Sequence, residues 1–380
     1  MESAARRHAF ATTAVTATQI HNSPGAVAPP LYLSTTFERS ADGTYPTEFE
    51  YSRESNPNRT ALEAALSMLE GGADAAVFAS GSAALMTLFL SLGPNDHVIA
   101  PRDMYFGIHE MLAQTFSSWG LSVTFVDVVN VSEIESAIRP NTCLIFVETP
   151  SNPMLKVADL RAIVDIARAH DILMACDNTL ATPVFQSPLA LGCDLVTHST
   201  TKYISGHHDA HGGALITAKK DAYWERIRFN QRICGPVSSP FSDWLTLRGI
   251  ASLACRAKMQ NDTALRIAEH LNAHPHIEQV LHPGLASHPQ HVVASAQMSG
   301  FGALFSILVR GDAQRAIGVT KNVKLFKRAT SFGGPESLIE HRASIEGPAS
   351  STPPNLLRLA IGLEDSSDLI EDLEQALSGR

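Results

Sequence analysis

The sequence lacks any cysteine arrangement that could serve as a disulfide framework. Its five cysteines (Cys143, Cys176, Cys193, Cys234 and Cys255) are odd in number, scattered, and without a C-x-x-C pair. Most lie among apolar residues, the pattern of buried free thiols in a reducing, cytoplasmic compartment. It also lacks a basic excess: 29 Lys and Arg face 38 Asp and Glu, for a net charge of −9. A general nucleic-acid binder needs a basic face to displace counterions from phosphates, so that class is excluded. A local basic pocket for one small anion is not. No internal repeat and no low-complexity tract interrupts the chain. The first residues, MESAARRHAFATTAVTATQIH, carry two arginines with no long apolar core behind them, which does not read as a secretory signal. One charge-free stretch, Ala75–Asn95, has about the length of a membrane span. Ser80, Gly81, Ser82, Ser91, Gly93 and Pro94 divide it into a short strand, a turn and a buried helix, so it reads as soluble core.

What is present is enough chain for a large core. With 380 residues, 44% hydrophobic and 18% charged, wholesale disorder is excluded, and at roughly 150 residues per domain two or three domains are expected. Residues 1–58 are rich in Pro, Thr and Ser and show little helical periodicity. They are either a tail or an arm that lies on a partner subunit. From Arg59 to Leu69 the apolar spacing is helical, and Gly71-Gly72 stops it. Over 59–247, the runs AAVFAS, DHVIAP, SVTFVDVV, TCLIFVET, ILMACDN and CDLVTHS read as strands. Ala83–Leu92, His109–Trp119, Ser132–Ile138 and Leu160–His170 read as helices between them. The alternation predicts an α/β fold with a largely parallel sheet covered on both faces. Over 248–380, helical periodicity in Ser252–Leu271 and short strands in HIEQVLHP, FGALFSILV and LLRLAIG predict a smaller α+β domain.

Three pieces of the large domain carry chemistry. In DLVTHSTTKYISGHHDAHGG a strand ends at His198, and Ser199, Thr201 and Lys202 follow in a turn. Two hydroxyls suit phosphate oxygens, and the lysine beside them is placed to form an imine with an aldehyde. A phosphate and an aldehyde on one ligand describe pyridoxal phosphate. Asp177 follows five mostly apolar residues at a buried strand end, where an unpaired carboxylate is costly. It is either a turn aspartate with Asn178 and Thr179 or the partner of a protonated pyridine nitrogen, kept charged as an electron sink. VFASGSAALMTLFL is a strand, a Gly-containing turn and a helix, whose first N–H groups favour a phosphate.

That order of motifs resembles the aspartate-aminotransferase-like, fold-type I pyridoxal phosphate enzymes. EYSRESNPNRTALEAALSMLEGG, ETPSNPML, DNTLATP, HSTTKYISGH, SFGGPESLI and LLRLAIGLED narrow the resemblance to the Cys/Met-metabolism family, over roughly Thr35 to Leu377. That family includes cystathionine γ-synthase, the cystathionine β- and γ-lyases and methionine γ-lyase. The resemblance implies that Lys202 carries the cofactor and shuttles protons, that Asp177 pairs with the pyridine nitrogen, and that Tyr105 stacks on the ring. It implies a phosphate site of Gly81, Ser82, Ser199 and Thr201, joined by Tyr51 and Arg53 from the neighbouring subunit of a homotetramer, a dimer of dimers. It further implies that Asn152 contacts the ring hydroxyl, and that Arg358, Ser331 and Asn152 hold the substrate's α-carboxylate. Tyr105 or Tyr51 would assist the leaving group as acid.

Three positions depart from the relatives. Where synthases and γ-lyases carry an arginine five residues after the stacking tyrosine, this chain has Glu110; where they carry a glutamate before the S-L-G-G-like serine, it has Thr330. Gly107 replaces the usual methionine γ-lyase cysteine. A carboxylate at Glu110 would repel an anionic distal group and favour a cationic one. The expectation is therefore a methionine γ-lyase-like γ-elimination, or γ-replacement, on an L-amino acid, with a preference for a cationic distal end such as that of canavanine. The alternatives are a cystathionine β- or γ-lyase, or a γ-synthase-type transferase for cystathionine formation or O-acylhomoserine. A paralogue without catalysis would have lost Lys202, Asp177 or Arg358, and all three are present. His207, His208, Asp209 and His211 sit on one loop with poor ligand spacing, and no metal is expected there.

Overall fold

The computed structural model describes residues 8–19, 25–347 and 352–379. The apolar runs form a seven-stranded sheet of β1 (Asp74–Phe78), β2 (His97–Pro101), β3 (Ser122–Val126), β4 (Thr142–Glu148), β5 (Leu173–Asp177), β6 (Leu195–His198) and β7 (Gly213–Thr217). The order is β1-β7-β6-β5-β4-β2-β3. Strands β2 to β6 are parallel, and β7 lies antiparallel between β1 and β6. All residues of β2 and β7 are buried, as expected of strands covered on both faces. The strand β7 was not anticipated. Its five residues follow a Gly- and His-rich loop, and a short apolar run there has no flanking periodicity to mark it.

A second sheet comprises β8 (Ile277–Leu281), β9 (Leu304–Val309), β10 (Lys327–Arg328), β11 (Leu338–His341) and β12 (Leu356–Ala360), in the order β10-β11-β12-β9-β8. Apart from the parallel β10–β11 pair, its neighbours are antiparallel. One apolar cluster joins the two sheets, from Val77 and Ile216 through Leu247, Ile250 and Leu253 to Phe305 and Leu359. The boundary expected between 247 and 248 falls inside the helix Pro240–Ala251, and the one between 58 and 59 falls inside the helix Pro57–Glu70.

Local chemistry sets the helices that frame the site. Helix Pro57–Glu70 starts on Asn56, whose side chain accepts the Asn58 N–H, and stops on Gly71 at φ 71°. Helix Gly81–Leu90 starts on Ser80, which accepts the Ala83 N–H. The helix expected at His109–Trp119 begins earlier, at Phe106, and widens into a π-helical segment, Met111–Phe116. The N-terminal segment, expected to be irregular, holds a helix at Phe10–Thr16 with Ala14 buried. No helix among the described residues is long and apolar enough to cross a membrane. The charge-free stretch becomes β1, the helix Gly81–Leu90 and a turn.

The parallel strands end together. Glu148 of β4 is the register partner of Asp177 on β5, and Asp177 that of Thr197 on β6. Polar residues at carboxyl ends of parallel strands are where α/β folds bind ligands.

Candidate active site

Above these strand ends lies a cleft of about 490 Å³, closed on its far side by the loop Thr330–Phe332 and by Arg358 of β12. Lys202, in the turn after β6, donates from Nζ to Ser331 Oγ at 2.8 Å. Its ammonium stands 4.9 Å from the Phe332 ring centroid. Burial, and then the positive charge of Arg358, bring the Lys202 amine down to about 8. Ser331 holds φ 83°, a left-handed conformation that a non-glycine residue adopts at a cost. Arg358 is buried; it donates to Asn152 Oδ1 and to the Ser331 carbonyl, both at 3.0 Å. Burial lowers its guanidinium to about 10, against the opposing pull of Glu340, so it stays charged at neutral pH.

Asp177 forms the floor. One of its oxygens accepts the Thr179 N–H at 2.9 Å, so the turn-aspartate role is real. The carboxyl nonetheless lines the cleft. Burial pushes it up, against the hydrogen bonds from Thr179 and the charge of His198. A buried acid displaced in that direction is one that a neighbouring cation would stabilise, which fits a protonated pyridine nitrogen. The phosphate end fits as well. Ser80 caps Ala83, which leaves the first N–H groups of the helix, at Gly81 and Ser82, on the cleft wall. A Cβ added to Gly81 would lie 2.9 Å from Ser199 Cβ, so only glycine lets the helix start approach the β6 turn this closely. Ser199 lines the cleft; Thr201 does too, with its hydroxyl donating to the Gly212 carbonyl at 3.1 Å. The chain's own donors thus suit pyridoxal phosphate at both ends.

Tyr105 stands at the mouth, 46% exposed, directly before the helix Phe106–Glu110. A Cβ on Gly107 would come within 2.8 Å of its ring. Tyr105 and Asn152 share an anchor that the sequence reading missed. Glu148 accepts the Tyr105 N–H and the Asn152 N–H, each at 2.9 Å, one on each oxygen. Burial, and then Asp177 beside it, push Glu148 well above the usual carboxylate range. The residue was within the quoted ETPSNPML motif; its strand-end position, equivalent to that of Asp177, was the signal. Arg342 and Glu346, four residues apart in a short helix, also line the cleft and were not anticipated.

Three expected residues lie elsewhere in this chain. Glu110 is not among the residues lining the cleft. Its carboxylate accepts from Gln114 one turn along, and the other oxygen meets His109 at 3.3 Å. Five residues after Tyr105, the part-exposed Glu110 side chain lies along its own helix beside these two partners. Tyr51 and Arg53 also lie outside it. Tyr51 is 46% exposed, and Arg53 pairs with Glu54 at 2.7 Å and reaches the Arg232 carbonyl. In the histidine loop His211 lines the cleft and His207 faces the Ser205 carbonyl. His208 packs where a side chain on Gly334 would sit. Among the described residues no group of three His, Cys, Asp or Glu is placed to hold a metal ion.

Comparison with known proteins agrees with this geometry. The family model described as Cys/Met metabolism PLP-dependent enzyme matches residues 11–378. The cystathionine gamma-synthase of Mycobacterium tuberculosis strain H37Rv is 43% identical over 359 residues, covering 93% of this chain and 92% of the relative. The cystathionine gamma-lyase of Bacillus subtilis is 40% identical over 363 residues, covering 93% and 94%. The crystal structure of metB from Corynebacterium glutamicum superposes with a TM-score of 0.95 at 39% identity, covering 98% of each chain.

Proposed function

Because the chain belongs to the Cys/Met-metabolism family of pyridoxal-phosphate-dependent enzymes, we propose that it acts at the γ-carbon of an L-amino acid, in the manner of the cystathionine γ-synthase and γ-lyase relatives. The observation that carries this reading is the double use of Ser331. Its hydroxyl accepts from Lys202 Nζ and its carbonyl accepts from Arg358 Nη2. An amino acid gripped at its α-carboxylate by Arg358 therefore has its α-carbon beside the lysine amine. The planar guanidinium suits a carboxylate's two oxygens, and Asn152 on its other side fixes the fork's direction.

The cofactor, when bound, supplies the electron sink for the pair released at the substrate's α-carbon. Lys202 would take the Cα proton, give it up to the conjugated system that the cofactor provides, and as a free amine again take a Cβ proton, which weakens the bond to a heteroatom on Cγ. An amine brought down to about 8 is a competent base near neutral pH, where an ordinary lysine is almost wholly protonated. Tyr105 at the mouth supplies a proton to the departing heteroatom. Tyr51 and Arg53 complete the phosphate end from the neighbouring subunit, in a homotetramer built as a dimer of dimers. A methionine γ-lyase-like preference for a cationic distal group such as that of canavanine rests on the carboxylate of Glu110, which accepts from Gln114 in this chain.

Product analysis separates the possibilities. Holoenzyme incubated with cystathionine, methionine, canavanine and O-acetylhomoserine should release a four-carbon oxo acid or, with a thiol present, a new thioether. A three-carbon oxo acid from cystathionine would instead favour β-elimination, as in the relative from Coxiella burnetii named cystathionine beta-lyase.

A further inference from the structure

The turn that carries Lys202 is held from two sides. At its first residues, the Ser199 N–H donates to Thr179 Oγ1 at 2.8 Å. Thr201 Oγ1 donates to the Gly212 carbonyl and accepts the Gly212 N–H, both at 3.1 Å. At its last residues stands Arg256, in the first turn of the helix Leu253–Asn272. Arg256 Nη1 donates to the Tyr203 carbonyl at 2.9 Å. Nη2 donates to the Gly249 carbonyl at 2.8 Å and reaches toward the Ile204 carbonyl at 3.5 Å. Nε donates to Ser252 Oγ at 3.0 Å. Arg256 is buried, yet it is not among the residues lining the cleft. Two glycines make room for this packing. A Cβ on Gly206, which holds φ 73°, would lie 1.9 Å from Arg256 Nη1, and one on Gly249 would lie 2.2 Å from the Ser205 carbonyl oxygen.

We infer that Arg256 is a positioning residue for Lys202: from outside the cleft it fixes the peptides that follow the lysine, and so the direction in which the amine enters the site. Burial lowers the guanidinium to about 10, so it stays charged at neutral pH. A buried cation is costly, and this one forms no ion pair among the described residues; neutral oxygens meet its charge. An apolar side chain of similar volume would avoid that cost but could not bridge carbonyls on two separate segments. The planar fork can, because its donors point in fixed, divergent directions, which a lysine ammonium does not reproduce. The Tyr203 and Ile204 carbonyls directly follow that of Lys202, which itself accepts the Gly206 N–H at 2.8 Å. Rotation of these peptides would swing the lysine and carry Nζ away from Ser331. Ser199 and Thr201, at the phosphate end, have their own anchors, so loss of Arg256 disturbs the lysine and spares the phosphate site. The inference rests on the proposed role of Lys202 and deepens that reading.

The test compares two forms of the cofactor on enzyme stripped of it, so it does not depend on γ-chemistry. Pyridoxal phosphate needs the Lys202 amine for covalent uptake. Pyridoxamine phosphate carries an amine in place of the aldehyde and needs only the rest of the site. In Arg256→Lys, covalent uptake of pyridoxal phosphate, read from the cofactor's absorbance, should slow at least about tenfold, while pyridoxamine phosphate affinity, read by calorimetry, stays within about twofold of wild type. A merely structural role would weaken both in step. Should Arg256→Lys not fold, Arg256→Ala leaves room for a free guanidinium ion. Added guanidinium should speed uptake by that variant at least about fivefold, and tetramethylammonium, a cation without N–H donors, should not. The inference is overturned if Arg256→Lys takes up pyridoxal phosphate at the wild-type rate, or if both cofactor forms bind more weakly in step. It is equally overturned if guanidinium does no better than tetramethylammonium. Covalent uptake at the wild-type rate by Lys202→Ala would instead sink the reading of Lys202 itself, and the inference with it.

Discussion

Lys202 sits between opposing demands: a charge that burial and Arg358 disfavour, and a proton that the chemistry needs to move. With its pKa lowered to about 8, half of the amines are neutral near pH 8, instead of near pH 10.4 as for an unperturbed lysine. The sign follows directly. Nucleophilic attack by the free amine strengthens as pH rises through the lowered value and levels off above it. Stripped of cofactor, the enzyme should take up pyridoxal phosphate at a rate that climbs with pH about a midpoint near 8, read as recovery of the cofactor's absorbance. A midpoint near 10 would show that the cleft leaves the lysine unperturbed. Asp177 and Glu148 form the opposite kind of pair, two acids on adjacent strand ends that burial pushes upward. The first offers a place for a cation on the cleft floor. The second ties Tyr105 and Asn152 by their backbone amides, so two cleft walls hang from one buried carboxyl.

At the scale of elements, the loop Ser331–Gly334 decides whether base and clamp meet. A Cβ on Gly333, which holds φ 87°, would stand 2.5 Å from the Tyr203 nitrogen and 2.8 Å from the Lys202 carbonyl carbon. Gly333→Ala should therefore push the loop from the Lys202 turn, lengthening the Ser331–Lys202 contact. We expect a loss of more than about 1 kcal/mol of stability, seen as a lower Tm, with a raised KM. Unchanged Tm and KM would mean that the loop yields freely. Much of this site was legible in the sequence, because Lys202, Asp177 and the Gly81 turn follow apolar runs that could only be strand ends. What was not legible depended on side-chain direction. Glu110 was placed by its distance from Tyr105 along the chain, but the helix turns it toward Gln114. Arg342 and Glu346 look like an ordinary i,i+4 surface pair until β11 and β12 set Glu340 opposite Arg358. The strand β7 and the helix Phe10–Thr16 were too short to announce themselves by periodicity.

For the whole molecule, two sheets joined by one apolar cluster hold Lys202 and Arg358 at a fixed separation, while Tyr51 and Arg53 lie outside the cleft of their own chain. If they serve a neighbour's site, Lys202→Ala and Arg53→Ala subunits should each be inactive alone. Co-assembled at random, they should regain about a quarter of wild-type activity, because half the dimers then carry one intact site of two. Mixtures no more active than either parent would place Arg53 outside the machinery. The central claim, proton removal at Cβ as well as Cα, is tested most directly without any leaving group. Holoenzyme is incubated with L-norleucine in heavy water and the amino acid is followed by proton NMR. The account predicts loss of both the Cα and the Cβ proton signals, each dependent on Lys202. Loss of the Cα signal alone would contradict it and leave an enzyme confined to chemistry at the α- and β-carbons.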